Sequence, residues 1–187
     1  NSKPNPMPSK QIILTNNTIQ FENAADATNA ISISQYDRSV IIQNCTFKKC
    51  NGKKADFPFA NSIRASKLQS IDIVFCLFEL DLQQSAGNAI GITGEVCTEV
   101  IISNCTFDHS PCCVSLYTEN IDLIGNEFIS CGKNTIRISA QQGTRGFKLI
   151  ENIFRESSEG SIIYSTKYEN EGELHFQPTI QGNSFLN

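Results

Sequence analysis

The sequence predicts an all-β chain: a single right-handed parallel β-helix, a solenoid of about seven turns with an Asn/Cys ladder. Three observations predict it. A six-residue motif recurs seven times, and alternating apolar residues lead into it in most rows. The intervals between recurrences are too short for a helix in addition to strands. The motif rows run from Leu14-Thr15-Asn16-Asn17-Thr18-Ile19, through Ile42-Gln43-Asn44-Cys45-Thr46-Phe47, to Ile180-Gln181-Gly182-Asn183-Ser184-Phe185. The fourth column reads Asn17, Cys45, Cys76, Cys105, Asn126, Asn152, Asn183. The sixth reads Ile19, then Phe47, Phe78, Phe107, Phe128, Phe154 and Phe185. The mean period is roughly 28 residues, within the range of solenoid repeats.

The first strand of each repeat leads into the motif. Val40 and Ile42, Ile71 and Ile73, Val100 and Ile102, Ile121 and Leu123, and Phe147 and Leu149 sit two apart. That is the period of a strand with one buried face. A short second strand surrounds the Phe column. A third is read at Ile31 and Ile33, Ile63 and Ala65, Ile90 and Ile92, Val114 and Leu116, Ile136 and Ile138, and Ile162 and Tyr164. Right-handedness is taken from the general bias of parallel crossovers.

Stacking explains the columns. Equivalent positions lie about 4.8 Å apart, so inward asparagines bond amide to amide and satisfy polar groups that burial would otherwise orphan. Cys45, Cys76 and Cys105 turn that ladder from amide to sulfur over the middle turns. The preceding column is Asn16, Asn44, Phe75, Asn104, Gly125, Glu151 and Gly182. Asn and Gly tolerate a left-handed backbone, so this corner is read as a tight left-handed bend. Phe75 and Glu151 break the rule, and strain or a different bend is expected there.

One domain covers residues 12–187, behind a Pro-rich lead at 1–11. The insertions Asn51 to Asn61, Leu80 to Asn88 and Thr166 to Gln177 are read as loops. The interval from Cys105 to Asn126 is the shortest, and the most compact turn is expected there. The lead holds no apolar signal region, so the chain reads as a mature chain or an excised piece. The uncapped last repeat points to a segment of a larger protein, or to ends that stack on another chain.

Composition narrows the function classes. Apolar residues make up 40% and charged residues 18%, which excludes a disordered or collagen-like polymer. No apolar run approaches the ~20 residues of a membrane span. A net charge of -4 gives no electrostatic reason to expect nucleic acid. Eight cysteines leave both disulfides and buried thiols open.

The motif rows resemble the right-handed parallel β-helix repeat family, whose best-known members are pectin-lyase-like enzymes with asparagine ladders. The Asn44-Cys45-Thr46-Phe47 and Asn104-Cys105-Thr106-Phe107 segments are also similar to repeats of large surface proteins of eukaryotic microbes. The resemblance implies that catalytic groups, if present, stand outward on the Ile-x-Ile strand. That column holds Ser32, Arg64, Gly91, Ser115, Arg137 and Ile163, with no Asp or Glu to act as acid and base.

Asp72 and Asp122 face outward on the strand entering the motif, and they carry the alternative enzymatic reading. Ile41, Val74, Ile101, Ile124 and Ile150 form an apolar band on that face, a candidate partner surface. Asn16, Asn44 and Asn104 match the glycosylation acceptor pattern. His109, Cys112 and Cys113 invite a zinc reading, but their spacing fits no known ligand set. No catalytic residue, metal or cofactor is assigned.

The leading expectation is a non-catalytic β-helix segment of a secreted or cell-surface protein, acting as rigid scaffold or binding surface. The alternative is a polysaccharide-acting enzyme or a glycan-binding module. Expected partners are other proteins or neighbouring domains, with glycan as a further possibility.

Overall fold

The computed structural model describes residues 10–20, 30–34, 38–48, 61–79, 88–92, 97–109, 114–116, 120–131, 135–140, 146–156, 162–166 and 177–186. Most of the proline-rich lead, the Cys112-Cys113 pair and the three insertions up to their last or first residue lie outside the described residues; Asn61, Asn88, Thr166 and Gln177, read as loop ends, stand in strands.

Strands follow one another in threes. The first coil holds β1 (Lys10–Thr15), β2 (Thr18–Gln20) and β3 (Ile31–Ser34), and the second β4 (Arg38–Gln43), β5 (Thr46–Lys48) and β6 (Asn61–Ser66). Then come β7 (Ser70–Val74), β8 (Leu77–Glu79) and β9 (Asn88–Ile92), and β10 (Glu99–Ser103), β11 (Thr106–Asp108) and β12 (Val114–Leu116). Next are β13 (Asn120–Ile124), β14 (Glu127–Ile129) and β15 (Ile136–Ala140), and β16 (Gly146–Ile150), β17 (Ile153–Arg155) and β18 (Ile162–Thr166). The series closes with β19 (Gln177–Gln181) and β20 (Ser184–Leu186).

Every third strand is a neighbour. The first sheet runs β1-β4-β7-β10-β13-β16-β19, the second β2-β5-β8-β11-β14-β17-β20, and the third β3-β6-β9-β12-β15-β18. Strand pairing is parallel in all three. The chain visits the sheets in rotation, and this is a parallel β-solenoid. Among the described residues there is no helix, and so none long and apolar enough to cross a membrane.

The core lies between the sheets. Along the first sheet Val40, Ile71, Val100, Ile121 and Phe147 are buried in one column, and Ile42, Ile73, Ile102, Leu123 and Leu149 in the next. The phenylalanines stack along the second sheet. The rings from Phe47 to Phe185 lie 4.8 to 5.0 Å apart and within 12° of parallel. Strand spacing imposes this near-parallel stack, since each ring rides on its own strand. Full burial of Phe47, Phe78, Phe107, Phe128 and Phe154 stabilises the fold by about 1.5–3 kcal/mol for each ring.

Between the first two sheets the chain turns through one left-handed residue. Asn16, Asn44, Phe75, Asn104, Gly125, Glu151 and Gly182 all have φ between 52° and 66°. Phe75 (φ 53°) and Glu151 (φ 54°) therefore take the same bend as their neighbours: of the two expectations the different bend is corrected, and the strain is what these side chains bear at positive φ. The backbone dictates it. The corner N–H of each coil donates to the next coil, as in Phe75 N–H to Ser103 O at 3.1 Å and Glu151 N–H to Gln181 O at 2.9 Å. Abandoning the bend would break that series. A second left-handed corner follows the second sheet at His109, Ser130 and Glu156.

Candidate functional site

The inward fourth column separates into amides and thiols. Asn126 donates both its backbone N–H and its Nδ2 to Asn152 Oδ1, each at 3.0 Å. Asn152 does the same to Asn183 Oδ1, at 2.9 and 3.0 Å. Each Nδ2 also donates to a carbonyl of the preceding coil, Ile102, Leu123 or Leu149. Cys105 joins the two chemistries: its N–H donates to Asn126 Oδ1 at 3.0 Å, and its Sγ accepts from Cys76 N–H at 3.4 Å. Cys45, Cys76 and Cys105 are buried free thiols, as are Cys97 and Cys131. Burial pushes the Cys45 and Cys105 thiols above the ordinary value of 9.0, so they stand protonated. At the first coil Asn17 is exposed, and its Nδ2 donates to Thr15 O at 2.8 Å.

The outer face of the first sheet carries Asp72, Asp122 and Lys148. One column reads Ile13, Ile41, Asp72, Ile101, Asp122, Lys148 and Thr179. Its neighbour reads Thr15, Gln43, Val74, Ser103, Ile124, Ile150 and Gln181. The five apolar residues of the expected band thus split between two columns, Ile41 and Ile101 in one and Val74, Ile124 and Ile150 in the other, and all five are half-buried rather than exposed.

Asp72 and Asp122 are two strands apart, about 10 Å at sheet spacing, with Ile101 between. Lys148 Nζ sits 2.6 Å from Asp122 Oδ2 and neutralises it. Partial burial raises Asp72 above its ordinary value of 3.8, and the nearby Glu99 charge adds to the shift. Beside the pair lies a shallow hollow of about 200 Å³, lined by Glu99, Asn120, Asp122, Gly146, Lys148 and Thr179 among others. Gly146 opens it. The column through Glu99 and Asn120 has no side chain at that strand, and a Cβ there would stand 3.1 Å from Asn120 Oδ1.

This hollow escaped the sequence reading, though a glycine in an outward strand column was its signal. The pairing of Asp122 with Lys148 was equally visible as two opposite charges one period apart, once register was known.

The third sheet pairs Ser32, Arg64, Gly91, Ser115, Arg137 and Ile163 in one register column, in which Ser32, Arg64 and Arg137 are exposed. Arg64 and Arg137 are exposed and three strands apart, roughly 14 Å, too far to meet on one sugar bond. On the second sheet Lys48 pairs with Glu79 at 3.0 Å, and Arg155 with Glu127 at 2.5 Å. These exposed pairs between adjacent strands bring the opposite charges of that face together. His109 is exposed and faces Asp108, while residues 110–113 lie outside the described residues. Among the described residues no group of three or more His, Cys, Asp or Glu is placed to hold a metal ion.

At the first corner the acceptor asparagines stand outward. Asn16, Asn44 and Asn104 are exposed, and Asn44 Nδ2 donates to Asn16 Oδ1 at 2.6 Å. The columns thus bring together Asp122 and Lys148, Asn16 and Asn44, and the three thiols. They keep Asp72 apart from Asp122. No family model, curated protein or solved structure matches the chain.

Proposed function

We propose that the chain is a non-catalytic scaffold segment of a secreted or cell-surface protein, and that it belongs with the right-handed parallel β-helix proteins. In this reading it winds right-handed through about seven turns, the hand that parallel crossovers favour. Its inward amides form the asparagine ladder, and the outer face of the first sheet receives a protein partner along Ile41, Val74, Ile101, Ile124 and Ile150.

The observation that carries the reading is the Asp122–Lys148 ion pair at 2.6 Å. A glycosidase needs two carboxylates, one to protonate the leaving group and one to act as base or nucleophile. With Asp122 held by a lysine, and Ile101 between it and Asp72, that face offers a scaffold's surface rather than an acid–base pair. The second reading, a polysaccharide-acting enzyme or glycan-binding module, draws on the hollow of about 200 Å³ beside the same ion pair.

Incubation with uronate polymers, with and without calcium, separates the two. Release of unsaturated or reducing ends is followed against a buffer blank, and none is expected. Release abolished by Asp72→Asn or Asp122→Asn would overturn the scaffold reading in favour of the second.

A further inference from the structure

Among the described residues, four of the five large apolar side chains that stand exposed lie in β1, β19 or β20, at the two ends of the described stack. The fifth is Phe75, 56% exposed in the middle of it. Phe75 also holds φ 53°, a conformation that bulky residues rarely adopt. Neither the core nor the strands use this ring. A strained and exposed aromatic in the midst of a regular stack calls for an occupant.

Its neighbours indicate which. Phe75 shares the outward corner column with Asn44, one coil before, and Asn104, one coil after. Both asparagines are followed two residues later by Thr, as the acceptor pattern requires. The pair differ in their amides. Asn44 Nδ2 is engaged by Asn16 Oδ1 at 2.6 Å, whereas Asn104 Nδ2 makes no hydrogen bond among the described residues. The next corner residue after Asn104 is Gly125, at φ 62°. A Cβ there would stand 2.9 Å from Asn104 Oδ1, so a larger residue would push this exposed side chain aside, and glycine leaves it room.

We propose that Asn104 is an N-glycosylation site and that Phe75 is the platform on which its first sugar packs. The donor class is a lipid-pyrophosphate-linked oligosaccharide. Asn104 Nδ2 forms a bond to the sugar's C1, the C1–O bond to the pyrophosphate breaks, the lipid pyrophosphate leaves, and the amide gives up one proton. At a spacing of about 4.8 Å the C–H face of the linked N-acetylhexosamine covers the ring. The proposal rests on the secreted or surface reading.

The test is secretion of the full chain from a eukaryotic host, with intact mass and glycopeptide mapping. A glycan is expected at Asn104. It should be lost in Asn104→Gln and in Thr106→Ala, and retained in Asn44→Gln. Trimming to the single linked sugar should leave the melting temperature about 2–4 °C above that of Asn104→Gln, a shift typical of one modest contact in a chain of this size. In a Phe75→Ala background that gain should vanish. An Asn104 without glycan in the secreted chain overturns the site. An equal gain with and without the ring overturns the platform. A glycan on the recombinant chain but not on the protein from its native cells overturns the surface reading and leaves the site standing.

Discussion

Asn152 is 0% exposed, and its amide is satisfied on every side. It accepts from Asn126, donates to Asn183 Oδ1, and donates to the carbonyls of Leu123 and Ile150. Replacing it with leucine keeps the branched outline but strands the Asn126 backbone N–H and a buried carbonyl. Asn152→Leu is expected to cost about 1–3 kcal/mol, measured by urea denaturation. Asp72 sits on the opposite account. Its folded pKa lies above its unfolded one, because burial and then Glu99 disfavour the carboxylate. Stability therefore falls as pH rises from the unfolded value of 3.8 through the raised folded value. Asp72→Asn should melt higher than the parent at pH 7. At pH 3, where both side chains are neutral, the two should melt together.

Residue identity also marks where sequence reasoning reaches and where it stops. Asn, Cys and Phe recur at fixed places because inward positions tolerate few chemistries, so the amide and ring columns were legible. The corner was legible at Asn16, Asn44, Asn104, Gly125 and Gly182, whose side chains suit φ near 60°. It was obscured at Phe75 and Glu151, where the hydrogen bonds their N–H groups donate to the next coil, rather than the side chain, impose the bend. The second corner at His109, Ser130 and Glu156 has no common residue type, and nothing in the sequence announces it.

At the scale of elements, the second sheet shows how little strand a column needs. Its strands are three residues long, with one inward side chain each. An isolated three-residue strand has too few hydrogen bonds to persist, and here each is held by parallel partners and a stack of rings. Phe107 has a ring on both sides, Phe78 at 4.9 Å and Phe128 at 4.8 Å. Phe107→Ala should cost about 3–5 kcal/mol in urea denaturation. Phe185 has one partner and is 61% exposed, so Phe185→Ala should cost far less. Comparable losses at the two sites would mean that the stack is not what holds these strands. The candidate site was less legible at this scale. Alternation told which residues face out, but the ion pair and the hollow depend on register across strands and on a missing side chain at Gly146.

At the scale of the whole stack, the inner described strands have neighbours on both sides, and within these 187 residues the first and last strands of each sheet have one. Native-state hydrogen exchange should therefore be slowest in β10, β11, β13 and β14, and faster toward β1 and β20, as opening proceeds from the ends. Uniform protection along the stack would contradict a solenoid held by nearest-neighbour contacts.

The corner bonds carry one further consequence. Equivalent positions meet although the chain between them varies, from 21 residues between Cys105 and Asn126 to 31 between Asn152 and Asn183. Vertical fit is thus indifferent to contour length, and each inner layer is held by the layers on either side of it. A gene encoding such a chain can gain or lose a whole layer by unequal recombination from one amide position to the next, and the product stays in phase. An indel of one residue within β13 would instead invert the facing of every side chain beyond it in that strand. Growth by complete storeys is the evolutionary step that this architecture leaves open.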